Sequence, residues 1–412
     1  MAHSGTYAVP LGVPRARMHA VGLLAGRRRV RLARAAVSAM FFVNGFGFAN
    51  WVVRIPAVQR SLGLSPGLLG LALLGPAVGG LLAMPLAGGV VARRGSRPVT
   101  QVAALAFAAA LLLPPLAPSF GLLVAALVVL GATSGTLGVA MVAQSVTLQR
   151  FHDRPITTSF HAFYSGGGLA GALVGGVIAG AGLSPLAHLA LVAGALVLLA
   201  ATAAPALLPA TVDAAPAHHA SFARPTPALL ALGTIAFCIL VGEGAMADWT
   251  AVFLRDVSGA APGPAAAGFA AFSLAMTAGR IVGDRLTARV GAMRLGRAGG
   301  ALVAAGCLAA VLVPNAWVAT IGFGAVGAGL STLYPSVLAA GGRLALRTNQ
   351  APAATLAALS TLAFTGFLAG PPLIGLLAEG VGLRGALVAV AVAGVVVATL
   401  AGSLDGRDAT AP

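Results

Sequence analysis

Residues 241–256 read VGEGAMADWTAVFLRD and follow ALLALGTIAFCIL at 228–240. The combined segment is mostly apolar and long enough to cross a bilayer, which takes about 20 residues of α-helix. Yet it carries two acids, Glu243 and Asp248. A carboxylate at mid-membrane costs about 2.5–3.5 kcal/mol on insertion scales. Ionisable groups kept at that cost face a bundle interior or a wet path, so both acids are candidate functional groups.

The same pattern extends along the chain. Of its 412 residues, 58% are hydrophobic and 8% charged, with a mean hydropathy of +0.96. A soluble domain is about 25% charged, so the main solvent here is lipid. The composition predicts an all-α polytopic membrane protein. Twelve spans are expected, at 35–57, 67–91, 98–116, 120–142, 157–181, 186–208, 228–253, 264–283, 297–313, 316–340, 352–376 and 383–401. Turn residues separate them: Pro56, Pro66, the run 114–118, the run 182–185, Pro262, and Pro314 with Asn315.

The net charge of +16 would suit a nucleic-acid partner if it formed one patch. It does not. All 25 basic residues are arginine, and 19 of them lie in the N-terminal segment, the loops 92–97, 143–156, 209–227, 284–296 and 341–351, and the C-terminal tail, with Arg297 at the first position of the span that follows 284–296. The alternate loops hold Arg54, Arg60, Arg255 and Arg384, and Arg280 lies inside a span. Arginine-rich loops stay cytoplasmic. Both termini are therefore expected inside the cell, in the inner (plasma) membrane, and no nucleic-acid partner is expected. No cleavable leader is expected either, because the apolar run after Arg34 is too long for one. Cys238 and Cys307 lie in apolar spans and read as small core residues. The chain has no lysine and no phosphate-binding Gly-x-x-x-x-Gly-Lys loop, which excludes direct ATP drive within it. It is expected not to be an enzyme and to need no cofactor.

The segment 209–227, PATVDAAPAHHASFARPTP, is polar and rich in Pro and Ala. It reads as a linker between six-span halves at 35–208 and 228–401, with a basic tail at 1–34 and a second tail at 402–412. His218 and His219 read as solvated linker residues rather than metal ligands. The halves repeat one another. NGFGFANWVVRIPAV at 44–58, followed by SPGLLG, matches EGAMADWTAVFL at 243–254, followed by PGPAAAG. Asn50–Trp51 aligns with Asp248–Trp249, and Pro66 with Pro262. GGVVARRGSRPV at 88–99 matches GRIVGDRLTARVGA at 279–292. Two related six-helix halves are the plan of a secondary transporter, with its site at their interface.

The loop GGVVARRGSR resembles the signature Gly-x-x-x-Asp-Arg-x-Gly-x-Arg of the major facilitator superfamily. EGAMADW, SFHAFYSGGGLAG and GFLAGPPLIG are similar to a bacterial branch grouped with fucose permeases. The resemblance implies two pseudo-symmetric six-helix bundles that move a small-molecule solute by alternating access, coupled to protons, and a chain that works as a monomer in the lipid bilayer. The chain departs from the family pattern at Ala92, where the signature has Asp, and at Gly138, Val142 and Gln149, where relatives carry polar or acidic residues.

Candidate roles follow. Glu243 is a proton-coupling group, a solute ligand or a structural acid. Asn44 and Asn50 are amides that either bind a polyol or bond neighbouring helices. Trp51 and Trp249 either anchor at the membrane interface or stack against solute. His161 and Tyr164 open the fifth span, where they cap a loop, relay protons or line the path. Arg54 and Asp248 are expected to pair as an outer gate. Arg93, Arg94 and Arg97, with Arg280, Asp284 and Arg285 in the other half, are expected to form cytoplasmic latches. Asp284 is expected to meet Arg343 or Arg347, and a kink is expected at Gly370–Pro371–Pro372. The polar candidates point to proton-linked import of a sugar-like solute. The low aromatic content keeps proton-antiport efflux of hydrophobic drugs or metabolites as the alternative, and a transport-inactive sensor or lipid scramblase as a third reading.

Overall fold

Backbone polar groups in hydrocarbon must satisfy one another, which leaves runs of Leu, Ala, Val and Gly one open-chain solution, the helix. The computed structural model describes residues 27–152, 156–210, 226–348 and 352–405, with no strand among them. The N-terminal half contains α1 (Arg27–Ser61), α2 (Pro66–Leu73 continued by Gly75–Arg94) and α3 (Ser96–Ala110). It continues with α4 (Phe120–Gln149), α5 (Thr157–Gly180) and α6 (Pro185–Ala203). The C-terminal half contains α7 (Pro227–Asp256), α8 (Pro262–Ala265 continued by Ala267–Val290) and α9 (Ala292–Leu312). It goes on to α10 (Ala316–Leu330 continued by Leu333–Arg347) and a last stretch, Pro352–Leu400.

By length and apolarity, eleven of these segments can cross a membrane. The last is two. Its 49 residues would rise about 73 Å as one helix, against a core of about 30 Å. Its backbone breaks at Gly382, with φ 70° and ψ 166°. The limb before that glycine is α11 and the limb after it α12, so the chain crosses twelve times.

Local chemistry sets where spans begin. Ser65, Ser184 and Thr226 each accept a hydrogen bond from the backbone three residues on, and each precedes a proline at the first helical position. Ser119 and Asn315 cap α4 and α10 in the same way. A hydroxyl or amide cap followed by Pro satisfies an orphan N–H and omits another. Large apolar side chains such as Leu86, Val177, Leu198 and Ile321 stay exposed on the outer surface, as contact with acyl chains requires.

Three local expectations change. The helix α1 starts at Arg27, so the basic residues before 35 ride on a helical extension. Pro56 lies inside α1 rather than ending it. It forgoes one hydrogen bond, but buried Val52, Ile55 and Val58 hold the helix in line. Pro371 and Pro372 likewise sit in continuous helix, and the break falls at Gly382. The expected linker lies largely at 211–225, outside the described residues.

Within each half, close glycine contacts draw helices together. A methyl on Gly79 of α2 would overlap the Val128 carbonyl of α4, and one on Gly131 would overlap the Pro76 carbonyl. Between halves, contact concentrates at the arginine-poor end. There α1 meets α7, the first piece of α2 packs on α11, and α5 packs on α8. The longer second piece of α2 barely touches α11. The halves are therefore shut at the arginine-poor end and diverge toward the arginine-rich end.

Gly79→Ala should lose about 1–3 kcal/mol through overpacking. Gly88→Ala, where an added methyl meets nothing within 4 Å, should melt at or above wild type. Thermal unfolding of both variants in detergent checks the pair.

Candidate functional site

Halfway along α7, the chain places Glu243 on the side facing the other half. A cavity of about 300 Å³ lies there between the bundles. From the N-terminal half it is walled by Asn44 and Phe48 of α1, Pro76 and Met84 of α2, Ser134 and Gly138 of α4, and Tyr164 and Ser165 of α5. From the C-terminal half come Glu243, Phe269, Phe272, Ser273, Met276, Arg280, Phe364 and Phe367. Phe269 stacks near Phe272 at 6.0 Å between ring centroids, and Phe364 sits 6.2 Å from Phe367. The cavity thus has polar groups from both halves and a phenylalanine wall from one.

Arg280 organises the polar side. Its Nη2 lies 3.3 Å from Glu243 Oε1, and its Nη1 donates to Ser165 Oγ at 2.9 Å. Only about a quarter of either charged side chain is exposed. The guanidinium therefore holds an acid of its own half and a hydroxyl of the other. Arg280 was expected at a cytoplasmic latch. It faces the cavity instead, because it stands four residues, about 6 Å of helix rise, deeper in the membrane than Asp284. The Asp284 side chain lies outside the described residues, and Arg343 donates to the Leu404 carbonyl at 2.7 Å. Arg285 is exposed.

Asn44 reaches the cavity and is braced by α4. Ser134 Oγ donates to its Oδ1 at 2.8 Å, and its Nδ2 donates to the Ser134 carbonyl at 3.4 Å. Asn50 does not reach the cavity. It is fully buried in the N-terminal half, where Nδ2 donates to the Phe46 carbonyl and Oδ1 lies 2.8 Å from His188 Nε2. Arg54 Nε donates to His188 Nδ1 at 2.6 Å, and Nη2 donates to the Leu183 carbonyl at 3.0 Å. Since Nδ1 accepts, the imidazole proton sits on Nε2 and is donated to Asn50. Arg54 is therefore occupied by His188 and does not pair with Asp248 in this conformation. Asp248 is buried, with no hydrogen-bond or ion-pair partner among the described residues.

His188 was missed at the level of sequence. The available signal was a lone histidine in the apolar segment PLAHLALVAGALVLL, a rare placement in a membrane helix. Trp51 and Trp249 are also relocated. Their exposures are 1% and 0%, so neither anchors at an interface nor touches solute. Both belong to the core, where helix packing buried more ring area than a rim would. The exposed tryptophan is Trp317, at the start of α10. His161 is exposed on the arginine-rich side, edge-on to Phe41 at 5.2 Å. Arg93 and Arg94 are exposed, while Arg97 donates to the Pro205 carbonyl at 3.3 Å. The loop thus braces its own half.

Two bundles of membrane-length helices that close over a cavity lined by a few polar groups and a phenylalanine wall have the plan of a transport protein. The model of the Major Facilitator Superfamily matches residues 37–357, and the chain belongs to that superfamily. It is 34% identical over 342 residues to an uncharacterized MFS-type transporter of Yersinia pestis, covering 82% of this chain and 87% of that one. It is 33% identical over 371 residues to membrane protein MosC of Rhizobium meliloti, covering 89% of each. Among solved structures it is similar in fold to the nucleoside transporter NupG, with TM-score 0.70 and 13% identity over 91% of this chain and 100% of that one. A bacterial homologue of the lysosomal transporter Spinster, in an inward-facing and occupied conformation, gives 0.69 and 17% over 90% and 96%.

The buried indole N–H of Trp249 has no acceptor among the described residues. Trp249→Phe should therefore stay within about 1.5 kcal/mol of wild type, whereas Trp249→Ala should lose about 3–5 kcal/mol. Melting of the two purified variants measures the contrast.

Proposed function

We propose that the chain is a proton-coupled secondary carrier that imports a small polar, sugar-like solute by alternating access. The supporting observation is the Arg280–Glu243 pair in the cavity wall, with Ser165 of the opposite half as its third member. While Glu243 is ionised, it occupies the guanidinium. A proton on Glu243 dissolves the ion pair and frees Arg280 to donate to a hydroxyl or carbonyl oxygen of solute. Proton and solute then favour each other's binding, which is the condition for co-transport. Asn44, Tyr164 and Ser165 add hydrogen-bonding groups, and the phenylalanine wall suits the apolar face of a sugar ring. A cavity of this size fits a small solute.

Positive charge is retained on the cytoplasmic side, so the end at which the halves diverge faces the cytoplasm, with both termini there and the inner membrane as the residence. One proton entering down 100 mV releases about 2.3 kcal/mol, enough for roughly 40–50-fold accumulation of a neutral solute. Phe48, Met84 and Met276 enlarge the apolar wall and favour a second reading, proton-antiport efflux of hydrophobic compounds.

Liposomes holding the purified protein, under an imposed pH gradient and offered sugars, polyols, nucleosides and dyes, test both. Solute-evoked proton entry should appear with a polar solute and fall at least about tenfold in Glu243→Gln, while exchange of labelled for unlabelled solute survives. Proton flux that persists in Glu243→Gln removes the acid from coupling. Dye-driven proton exit, with no response to polar solutes, transfers the assignment to efflux.

A further inference from the structure

The shut end of the molecule contains a contact that joins the halves by charge. Ser65 ends the first loop and caps α2, its hydroxyl accepting from Leu68 N–H at 3.3 Å. Pro66 has no N–H to satisfy. Leu69 N–H already reaches the Ser65 carbonyl at 2.9 Å. One first-turn donor is left, Gly67 N–H. Its acceptor is Oε1 of Glu379 at 2.8 Å, a residue more than three hundred positions away on α11 of the opposite half. Ser65 and Glu379 together satisfy two orphan donors of the first turn, with the acid supplied from the other bundle. Gly67 leaves the room: a methyl there would stand 2.6 Å from the Glu379 oxygen.

The pseudo-symmetric seam lacks this device. At the start of α8, Gly263 packs against Gly176 and Gly180 of α5, backbone to backbone. No carboxylate of the described residues bonds the N–H groups of that turn. The exposed pair Arg60–Asp256, at 3.7 Å, also crosses between α1 and α7, but an ion pair so open to water contributes little.

We propose that Glu379 is the charged latch of the arginine-poor gate. Its carboxylate caps α2 only while that end is shut, and so biases the carrier toward the conformation described here. Opening strips Gly67 N–H of its acceptor and separates a negative charge from the positive end of a helix. For an exposed carboxylate at a helix start, the bias is about two- to fivefold in the shut-to-open ratio. The latch acts on one seam, so that gate should begin to part along α2 and α11.

The latch rests on the alternating-access reading, and a distance measurement without solute or proton gradient keeps the two separable. Leu116, which ends the short helix Leu113–Leu116 after α3, and Val313, in the loop after α9, are exposed in opposite halves at the arginine-poor end and accept spin labels as Leu116→Cys and Val313→Cys. The native Cys238 and Cys307 are buried. In lipid nanodiscs, the full chain should show mainly the short distance. Glu379→Ala should raise the long-to-short ratio about two- to fivefold. Glu379→Gln, which keeps an acceptor oxygen but no charge, should fall between. Salt at 1 M, with a Debye length of about 3 Å, should narrow the gap between wild type and Glu379→Gln, which a purely steric role for the side chain would not. Gly67→Ala, which displaces the carboxylate without removing it, should open the gate as Glu379→Ala does. Gly375→Val provides the control, because its Cβ would press 2.6 Å from the Pro66 carbonyl and wedge the same seam. If Gly375→Val opens the gate and Glu379→Ala keeps the wild-type distribution, the latch is refuted and alternating access stands. If no variant populates the long distance, alternating access at this end is refuted, and the latch with it.

Discussion

The guanidinium of Arg280 holds the centre of the molecule together electrically. Neither it nor Glu243 would be tolerated alone among helices made of Ala, Leu, Val and Gly. Isolated charges in such surroundings carry a desolvation penalty of several kcal/mol each. At 3.3 Å, in a cavity that still admits water, each answers the other. A second donor of the guanidinium, Nη1, reaches Ser165 across the interface between bundles. That contact ties the charged layer of one half to the neutral layer of the other, so any relative movement of the halves must re-solvate or re-partner Arg280.

The halves share a fold but distribute polarity differently. The C-terminal half puts its charges into the cavity. The N-terminal half buries its arginine instead: Arg54, His188 and Asn50 form a chain of hydrogen bonds entirely inside one bundle. A guanidinium donating to a neutral imidazole, which donates to an amide, satisfies each polar group without a carboxylate. Removing His188 would leave the buried Arg54 Nε–H without its acceptor, and removing Asn50 would leave the imidazole N–H without one, each a costly defect. The N-terminal bundle therefore reads as the stiffer body, with Asn44 braced against Ser134 on the cavity face.

The sequence carried the architecture well. Hydropathy, Ser-Pro and Thr-Pro starts, and the repeat around Pro66 and Pro262 are local signals, and each has a local structural outcome. The count of twelve needed only Gly382 to separate the last two crossings. The site was legible in part. Glu243, Asn44 and Tyr164 were visible as polar exceptions, and they line the cavity. Rotation about a helix axis was not legible. Arg280 and Asp248 were placed by depth, but depth does not say which side of a helix faces water. The aligned tryptophans misled for a related reason: a repeat preserves a packing position as readily as a functional one. Glu379 and His188 were invisible, because each is defined by a partner distant in the chain.

The reversal at Gly382 also shapes the arginine-poor end. With no loop between them, α11 and α12 share a single glycine as their turn, so the two limbs form one helical hairpin with no slack at its tip. Arg384 lies two residues beyond the turn and is exposed. The tip of that hairpin therefore joins Arg54, Arg60 and Arg255 in placing a permanent positive charge at the arginine-poor end.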